Sequence, residues 1–206
     1  MITTKTQFKY ITGYSVEEVQ EVLSNIDTYY YSFSQIKKDE EGKPKIRNRK
    51  VQIRIFNPSK KELRDIQNKV QSKILSEIPL IENIRGGVKG VGNLDNAAVH
   101  KGKTYRFQTD IKNFFPSVSS KMIFNSLKAK GFSNSIAKLI SKIVTYNTDE
   151  SYRNDCLPQG NPTSTTVANL VMENVALRIL KAIIDKDITF TVWVDDLTFS
   201  SMTDFS

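Results

Sequence analysis

The stretch TVWVDDLTFS, residues 191–200, places two adjacent aspartates, Asp195 and Asp196, between two apolar runs. The segment DITFTVWV, 187–194, alternates like a β-strand and predicts one apolar face. That face comprises Ile188, Phe190, Val192 and Val194. Because side chains alternate along a strand, we expect Asp195 to point away from it. An unpaired carboxylate is costly to bury, so the two charges predict either a functional partner or a turn.

A third aspartate, Asp110, ends another predicted strand, TYRFQTD at 104–110. Side chains at strand ends have a rigid base and stay open to solvent. If the two strands are neighbours, Asp110, Asp195 and Asp196 converge, and such oxygen-rich clusters bind Mg²⁺ or Mn²⁺. Two ions about 3.5–4 Å apart can clamp the attacking and leaving oxygens of a phosphoryl displacement.

Helical and strand-like patterns alternate along the rest of the chain. Ser15 with Glu18, and Ser59 with Glu62, have the spacing of a capping box at a helix start. Further helices are predicted at about 119–130, at 134–146 and from the turn at 157–164 to roughly Asp185, and a further strand at 51–56. This order predicts an α+β fold in which an antiparallel sheet is backed by helices on one face.

Two loops are predicted from composition. DEEGKPKIRNRK, 39–50, is polar and basic and is typical of a mobile loop or a hairpin tip. IRGGVKGVGNL, 84–94, holds four of the nine glycines, so its backbone must turn sharply or lie close to another segment. It is not a P-loop, because no Gly-Lys-Ser/Thr follows.

Charge favours a polyanionic partner. The formal net charge is +8, and residues 37–90 hold 15 Lys or Arg against 7 Asp or Glu. A basic concentration suits nucleic acid or nucleotide phosphates, although a solvated surface is the alternative. One cysteine excludes an internal disulfide framework, and no apolar run is long enough for a membrane helix. We therefore expect a cytoplasmic protein without a membrane partner.

Three segments, in this order and at these separations, resemble the palm motifs of reverse transcriptases: RFQTDIKNFFPSV, LPQGNPTSTTVANL and TVWVDDLTFS. IRIFNPSKKELRDIQNKV is similar to the family's fingers pattern. NAAVH, Asn96 to His100, is similar to the Asn-Ala-x-x-His element of retron-type bacterial enzymes. The resemblance covers about residues 45–201.

The resemblance implies right-hand polymerase architecture. We expect an N-terminal helical segment at 1–35, fingers at 36–100 and a partial palm at 101–206, interrupted by finger-type helices at about 119–146. The resembled enzymes continue with more palm, a primer grip and a thumb. We therefore expect a chain without a thumb: a truncated product, a fragment, or a protein completed by another chain.

The resemblance also implies a catalytic metal site. Asp110 and Asp195 match the two metal-binding aspartates, and Asp196 matches a third acidic position that supports the site. Ile111 stands where the family donates a main-chain carbonyl to the metal. The cofactors implied are two Mg²⁺ ions, with Mn²⁺ as an alternative.

Several residues are candidates for nucleotide binding by the same resemblance. Phe115 matches the aromatic residue that excludes a ribose 2′-hydroxyl, although core packing is the alternative role. Gln159 and Gly160 match the turn that contacts nucleotide and template. The family's basic fingers position holds Ile53 here, so Arg49, Lys50 and Arg54 are all candidates for contacting the triphosphate.

Trp193 stands where the family usually has tyrosine, which keeps an aromatic surface but removes the hydroxyl. For His100, the sole histidine, we expect a structural hydrogen bond with Asn96 rather than catalysis.

The favoured hypothesis is an RNA-directed DNA polymerase of a bacterial retron or other phage-defence system. Its partners would be an RNA template, a primer and deoxynucleoside triphosphates, with a structured noncoding RNA and an effector protein as further candidates. The alternative is a catalytically incomplete fingers–palm fragment that binds nucleic acid or a partner. RNA-templated RNA synthesis shares the acidic site, but Phe115 and the Pro-Gln-Gly turn argue against it.

Overall fold

The computed structural model describes residues 1–39, 41–47, 49–147 and 155–205. The helices found there are α1 Lys5–Thr12, α2 Val16–Ser24, α3 Lys61–Lys73, α4 Asn93–Val99, α5 Phe114–Ser117, α6 Ser120–Ala129, α7 Asn134–Val144 and α8 Ser164–Ala182. The strands are β1 Phe33–Ile36, β2 Ile46–Arg47, β3 Lys50–Val51, β4 Ile53–Phe56, β5 Tyr105–Asp110, β6 Thr189–Trp193 and β7 Asp196–Ser201. Single 3₁₀ turns follow α2 and α3, at Ile26–Tyr29 and Leu75–Glu77.

The two segments that carry the aspartates belong to one three-stranded antiparallel sheet. Its strand order is β5–β7–β6, so β7 lies in the centre and pairs with both neighbours. The strands predicted at 104–110 and 187–194 are thereby confirmed as members of one sheet, but they are not direct neighbours, because β7 lies between them. The mixed composition of helices and antiparallel sheets also confirms the predicted fold class at this level.

Helices cover the apolar side of this sheet. Phe190 and Val192 of β6 and Leu197 of β7 are buried in a core to which α3, α6, α7 and α8 also contribute. The N-terminal helices pack against α3. The Ser15–Glu18 capping box at the start of α2 is confirmed, because each side chain bonds the other residue's backbone N–H.

The second predicted capping box is wrong. Helix α3 begins after Lys60, which gives it no side-chain cap, and Ser59 lies one residue too early. The Ser59 hydroxyl instead donates to Gln67 Oε1 at 2.7 Å inside the core. Gln67 is fully buried and its amide donates to the Tyr30 hydroxyl and to the Ile143 carbonyl. The polar atoms of a buried amide need hydrogen-bond partners, so the Ser59 hydroxyl bonds Gln67 and does not cap the helix.

The predicted strand at 51–56 is divided. Its first part, β3, pairs with β2, and its second part, β4, pairs with β1 in a separate two-stranded sheet. The segment 39–50 contains a turn at Asp39–Lys43 and the short β2–β3 hairpin. This agrees with the hairpin interpretation, although residues 40 and 48 lie outside the described part of the chain.

The turn at 157–164 joins the β1–β4 sheet to helix α8. Asn161 is buried, and its side chain accepts from the Ser59 backbone N–H at 2.7 Å and donates to the Asn57 carbonyl at 2.9 Å. The Asn57 N–H donates in turn to the Gln159 carbonyl at 2.9 Å. These bonds fix the N-terminal sheet against the start of α8.

The glycine-rich loop lies against the β6–β7 hairpin, which agrees with the prediction that its backbone turns sharply or lies close to another segment. The N–H groups of Arg85 and Gly86 both donate to the Val192 carbonyl. A Cβ added at Gly86 would lie 2.5 Å from Val194 N and 2.7 Å from the Trp193 carbonyl carbon. Only glycine allows this approach, because the neighbouring atoms are backbone.

None of the helices in the described part of the chain has the length and apolar composition needed to cross a membrane.

Gly86→Ala should lower the free energy of unfolding by about 2–3 kcal/mol, because the new methyl overlaps the hairpin backbone. The measurement is urea denaturation followed by circular dichroism. Gly90→Ala is the control: it has open space around it but a φ of +83°, so it should lose only roughly 1 kcal/mol. Equal losses in the two variants would contradict the close contact at Gly86.

Candidate active site

The tip of the β6–β7 hairpin is a two-residue turn made of Val194 and Asp195. Trp193 pairs with Asp196 across it. Val194 has a φ of +62°, which is unusual for a β-branched residue and is found where the surrounding structure imposes it. The strand alternation therefore stops at Trp193, and Asp195 takes its position from the turn rather than from a strand face.

Strand pairing brings the three aspartates together. Asp110, the last residue of β5, is directly opposite Asp196, the first residue of β7, so their side chains share a face. The Ile111 N–H donates to the Asp195 carbonyl at 3.0 Å, which holds the turn beside the end of β5. Asp110 and Asp196 are exposed and Asp195 is half-buried.

The three charges affect one another. Asp196 is exposed as a whole residue, but its carboxyl is partly desolvated, and this desolvation, followed by the negative charges of Asp195 and Asp110, raises the pKa of Asp196 above its ordinary value. Like charges disfavour ionisation, so this cluster favours a bound cation.

A cleft of about 1140 Å³ opens over the aspartates. Its floor is the polar face of the β5–β7–β6 sheet, with Gln108, Thr198 and Trp193 beside the carboxylates. The opposite wall comes from strand β4 and from the segment that connects β1 to β4. That wall includes Lys37, Lys45, Gln52 and Arg54. Asp39 belongs to the same wall, so three cations and one carboxylate give this side of the cleft a net positive charge.

The three candidate basic residues are placed differently. Arg54 lines the cleft, whereas Arg49 and Lys50 are exposed on the β2–β3 hairpin and are not among the lining residues. Ile53 lies on the opposite face of β4 and is 58% exposed. The sequence shift of one residue relative to the family pattern thus leaves a cation, Arg54, in the cleft.

Ile111, Phe115, Gln159 and Gly160 are not among the residues that line the cleft. Ile111 and Phe115 are partly buried and pack against the core. Gly160, with Phe33, Lys60 and others, instead lines a second cavity of about 470 Å³ beside the β1–β4 sheet.

Sequence reasoning missed Lys37 and Lys45 as cleft residues. They lie next to one another because the Lys45 N–H donates to the Lys37 carbonyl at 2.7 Å, across the turn at 39–43. Their place in a basic segment was visible in the sequence, but the pairing that aims them at the cleft was not.

The predicted hydrogen bond between His100 and Asn96 is wrong. The His100 ring lies between two hydroxyls, with Nδ1 at 2.7 Å from Ser200 Oγ and Nε2 at 2.7 Å from Thr191 Oγ1. Asn96 lies one helical turn earlier and lines the cleft. Its side-chain carbonyl oxygen is buried and has no hydrogen-bond partner among the described residues.

The aspartates fit a metal that is shared with a ligand. The described residues contain no group of three or more His, Cys, Asp or Glu side chains arranged to hold an ion by themselves. Mg²⁺ usually keeps water and substrate phosphate ligands and takes only one or two protein carboxylates. Hard carboxylate oxygens at an open cleft with basic residues opposite are therefore a suitable donor set for Mg²⁺ or Mn²⁺.

The site is therefore an open cleft with carboxylates at one end of an antiparallel sheet, helices behind that sheet and basic residues on the other side. The family model described as "Reverse transcriptase (RNA-dependent DNA polymerase)" matches residues 36–204. The chain therefore belongs to the reverse transcriptase family.

Three curated relatives are all reverse transcriptases of retrons. The Retron Ec86 reverse transcriptase of Escherichia coli is 28% identical over 190 residues, which cover 92% of this chain and 54% of that protein. The Retron Se72 reverse transcriptase of Salmonella heidelberg (strain 579083-10) is 30% identical over 158 residues, which cover 76% of this chain and 40% of that protein. The Retron Mx162 reverse transcriptase of Myxococcus xanthus is 30% identical over 158 residues, which cover 71% of this chain and 33% of that protein. The chain thus spans about half or less of the length of these relatives.

Asp196→Asn should stabilise the metal-free protein at pH 7 by roughly 0.5 kcal/mol, the size of an exposed charge interaction. The pKa of Asp196 is raised in the folded state, so wild-type stability falls as the pH rises through that pKa. Asparagine does not ionise, so the gain should shrink as the pH falls toward about 3.9. Urea denaturation between pH 4 and pH 7 measures the difference.

The matched control for this measurement is Asp185→Asn, an exposed aspartate just beyond α8, which should give no gain. Added Mg²⁺ should stabilise wild type more than Asp196→Asn, because the ion offsets the repulsion. A gain that is independent of pH would contradict a charge effect.

Proposed function

We propose that this chain carries the catalytic site of an RNA-directed DNA polymerase that adds deoxynucleotides to a primer 3′-hydroxyl. The observation that carries the proposal is the convergence of Asp110, Asp195 and Asp196 at one end of a cleft whose other wall is basic. Membership of the reverse transcriptase family supports the same reaction.

Two divalent ions, when bound, would activate the primer hydroxyl and neutralise the leaving pyrophosphate. Asp110 and Asp195 would hold them, and Asp196 would support the arrangement from the central strand. Arg54, Lys37 and Lys45 would neutralise the triphosphate from across the cleft, which fixes the direction in which the nucleotide lies. The chain's part in catalysis is therefore positioning and charge complementarity.

Other assignments belong to the proposal. The division into an N-terminal helical segment, fingers and palm follows the family pattern, as do the metal-facing carbonyl of Ile111, the sugar-excluding ring of Phe115 and the contact made by Gln159. The names of the relatives support a retron setting. A noncoding RNA partner, an effector, a defence role and a cytoplasmic location stay predictions.

A row of aromatic rings on the β1–β4 sheet supports a path for single-stranded template. Tyr31 stacks with Phe33 at a centroid distance of 6.2 Å, and Phe33 stacks with Phe56 at 5.1 Å. Tyr31 is 50% exposed and Phe33 is 41% exposed. Exposed rings of this kind bind unpaired bases by stacking, without regard to sequence.

Charge and continuity favour the same ligand. Lys60, Lys61 and Arg64 line the cavity beside these rings and would neutralise phosphates. Phe56 and Arg54 are two residues apart on β4, so they share one face of the sheet. That face therefore runs from the aspartate cleft to the aromatic row, and one nucleic acid strand could follow it.

The polymerase proposal is tested by primer extension on a primed RNA template with deoxynucleoside triphosphates and Mg²⁺. Wild type should extend the primer, and Asp195→Asn should lower the rate by at least roughly 10³-fold, because the metal-binding carboxylate is lost. Asp185→Asn should retain wild-type rates. Wild-type protein that binds the primed template yet never extends it would contradict the proposal.

Phe33→Ala should weaken binding of a primed template that has an unpaired 5′ template overhang by roughly tenfold, because a stacked base is worth about 1–3 kcal/mol. Binding of the blunt duplex should be unchanged. Fluorescence anisotropy with both substrates measures the difference. The matched control is Ile53→Ala, an exposed apolar residue on the opposite face of the same sheet. Equal losses with both variants, or with both substrates, would rule out the aromatic row as the template path.

A further inference from the structure

His100 is the C-cap residue of α4 and is buried, with 3% of its surface exposed. It is not among the residues that line the aspartate cleft. Both of its ring nitrogens are engaged at 2.7 Å by hydroxyls, those of Ser200 and Thr191. A ring with no free nitrogen and no access to the cleft is not placed for proton transfer with a substrate.

The two hydroxyls belong to the two strands of the hairpin that carries the aspartates. Thr191 lies on β6, four residues before Asp195, and Ser200 lies on β7, four residues after Asp196. In the strand register Thr191 pairs with Thr198, and Thr189 pairs with Ser200. Thr191 and Ser200 are therefore diagonal neighbours on one face, and the imidazole bridges them.

This bridge resists sliding of β6 along β7. A shift of β6 by one residue would move the Thr191 hydroxyl to the opposite face of the sheet, away from Ser200. The two hydroxyls could then no longer bind the same ring, and a buried imidazole would lose one of its two partners. The turn of Val194 and Asp195 connects the two strands directly. The register of the strands therefore sets the positions of the Asp195 and Asp196 carboxylates.

The third strand is connected to the same residue. Arg106 on β5 donates its Nη2 to the His100 carbonyl at 3.0 Å. Burial, with Arg106 and Arg85 nearby, lowers the pKa of His100. The ring is thus neutral at physiological pH. One ring nitrogen therefore donates a hydrogen bond to one hydroxyl, and the other nitrogen accepts a hydrogen bond from the second hydroxyl.

We propose that His100 is a positioning residue that holds the register of β6, β7 and β5, and through it places Asp195 and Asp196 against Asp110. The inference concerns the geometry of the hairpin. It rests on the proposed polymerase function only where activity is the readout.

The test compares His100→Phe, which keeps a ring but loses both hydrogen bonds, with His100→Gln, which keeps one donor and one acceptor. In His100→Phe the amides of residues 189–201 should exchange with deuterium about tenfold faster, because local opening becomes easier. Mn²⁺ binding to the protein, followed by electron paramagnetic resonance, should weaken by about tenfold, a difference of roughly 1.4 kcal/mol. His100→Gln should recover most of both losses.

Activity gives a third readout. The kcat of His100→Phe should fall by about tenfold with the KM for the nucleotide unchanged, because the nucleotide-facing basic wall is intact. Ser141→Ala is the matched control, since it removes a buried hydroxyl bond to Ala137 in α7, away from the hairpin. It should leave hairpin exchange, Mn²⁺ affinity and kcat near their wild-type values.

Thr191→Val provides an independent variant if His100→Phe does not fold. It should reproduce the faster hairpin exchange, and where His100→Phe folds it should add little to the effect of that variant, because the two residues act through one bridge. Wild-type exchange and Mn²⁺ affinity in folded His100→Phe or Thr191→Val would overturn the proposal. Exchange and metal binding do not need turnover, so an inactive wild type would refute the polymerase function without touching this inference.

Discussion

The antiparallel register of β5 against β7 is the constraint on which the rest of this structure depends. It sets Asp110 opposite Asp196 although 86 positions separate them along the chain. The adjacent turn then adds Asp195, so three carboxylates lie at one end of one sheet. Such a concentration of charge is unfavourable without a cation, and together with the larger effect of desolvation it raises the pKa of Asp196. The surrounding fold must therefore hold a hairpin that its own charges tend to open.

Several contacts hold this hairpin from behind. Gly86 brings the backbone of the 84–92 loop against the Trp193–Val194 segment, where no larger residue fits. Asn83 accepts the Val192 N–H at its carbonyl, and its side chain donates to the Phe190 carbonyl. The positive φ of Val194 persists because these contacts fix the neighbouring backbone. The strained backbone at Val194 thus lowers stability locally but keeps the charged side chains in fixed positions, as is common at functional sites.

The cleft also depends on a second junction, between the β1–β4 sheet and the start of α8. The Asn161 side chain accepts a hydrogen bond from the Ser59 N–H and donates one to the Asn57 carbonyl. Gln67 connects the same region to Tyr30 and to α7. These buried amides have specific partners, which fixes the position of the basic wall. Arg54, Lys37 and Lys45 consequently face the aspartates across an open space. The two walls are separate pieces of chain, and polar junctions set the distance between them.

The sequence by itself indicated most of the helices and strands that surround the site, and the three aspartates at the ends of its strands. Apolar periodicity is a local property, so the strands ending at Asp110 and before Asp195, the helices around them and the Ser15 cap could be predicted. Tertiary structure decided the rest, because the choice among competing partners is not local. In the folded protein Ser59 bonds Gln67 instead of capping a helix, and His100 bonds two hairpin hydroxyls instead of Asn96. Arg54 lines the cleft, whereas Arg49 and Lys50 do not. Each outcome depends on which polar groups, distant in the sequence, need hydrogen-bond partners once they are buried together. The spacing of residues along the chain does not show which groups these are.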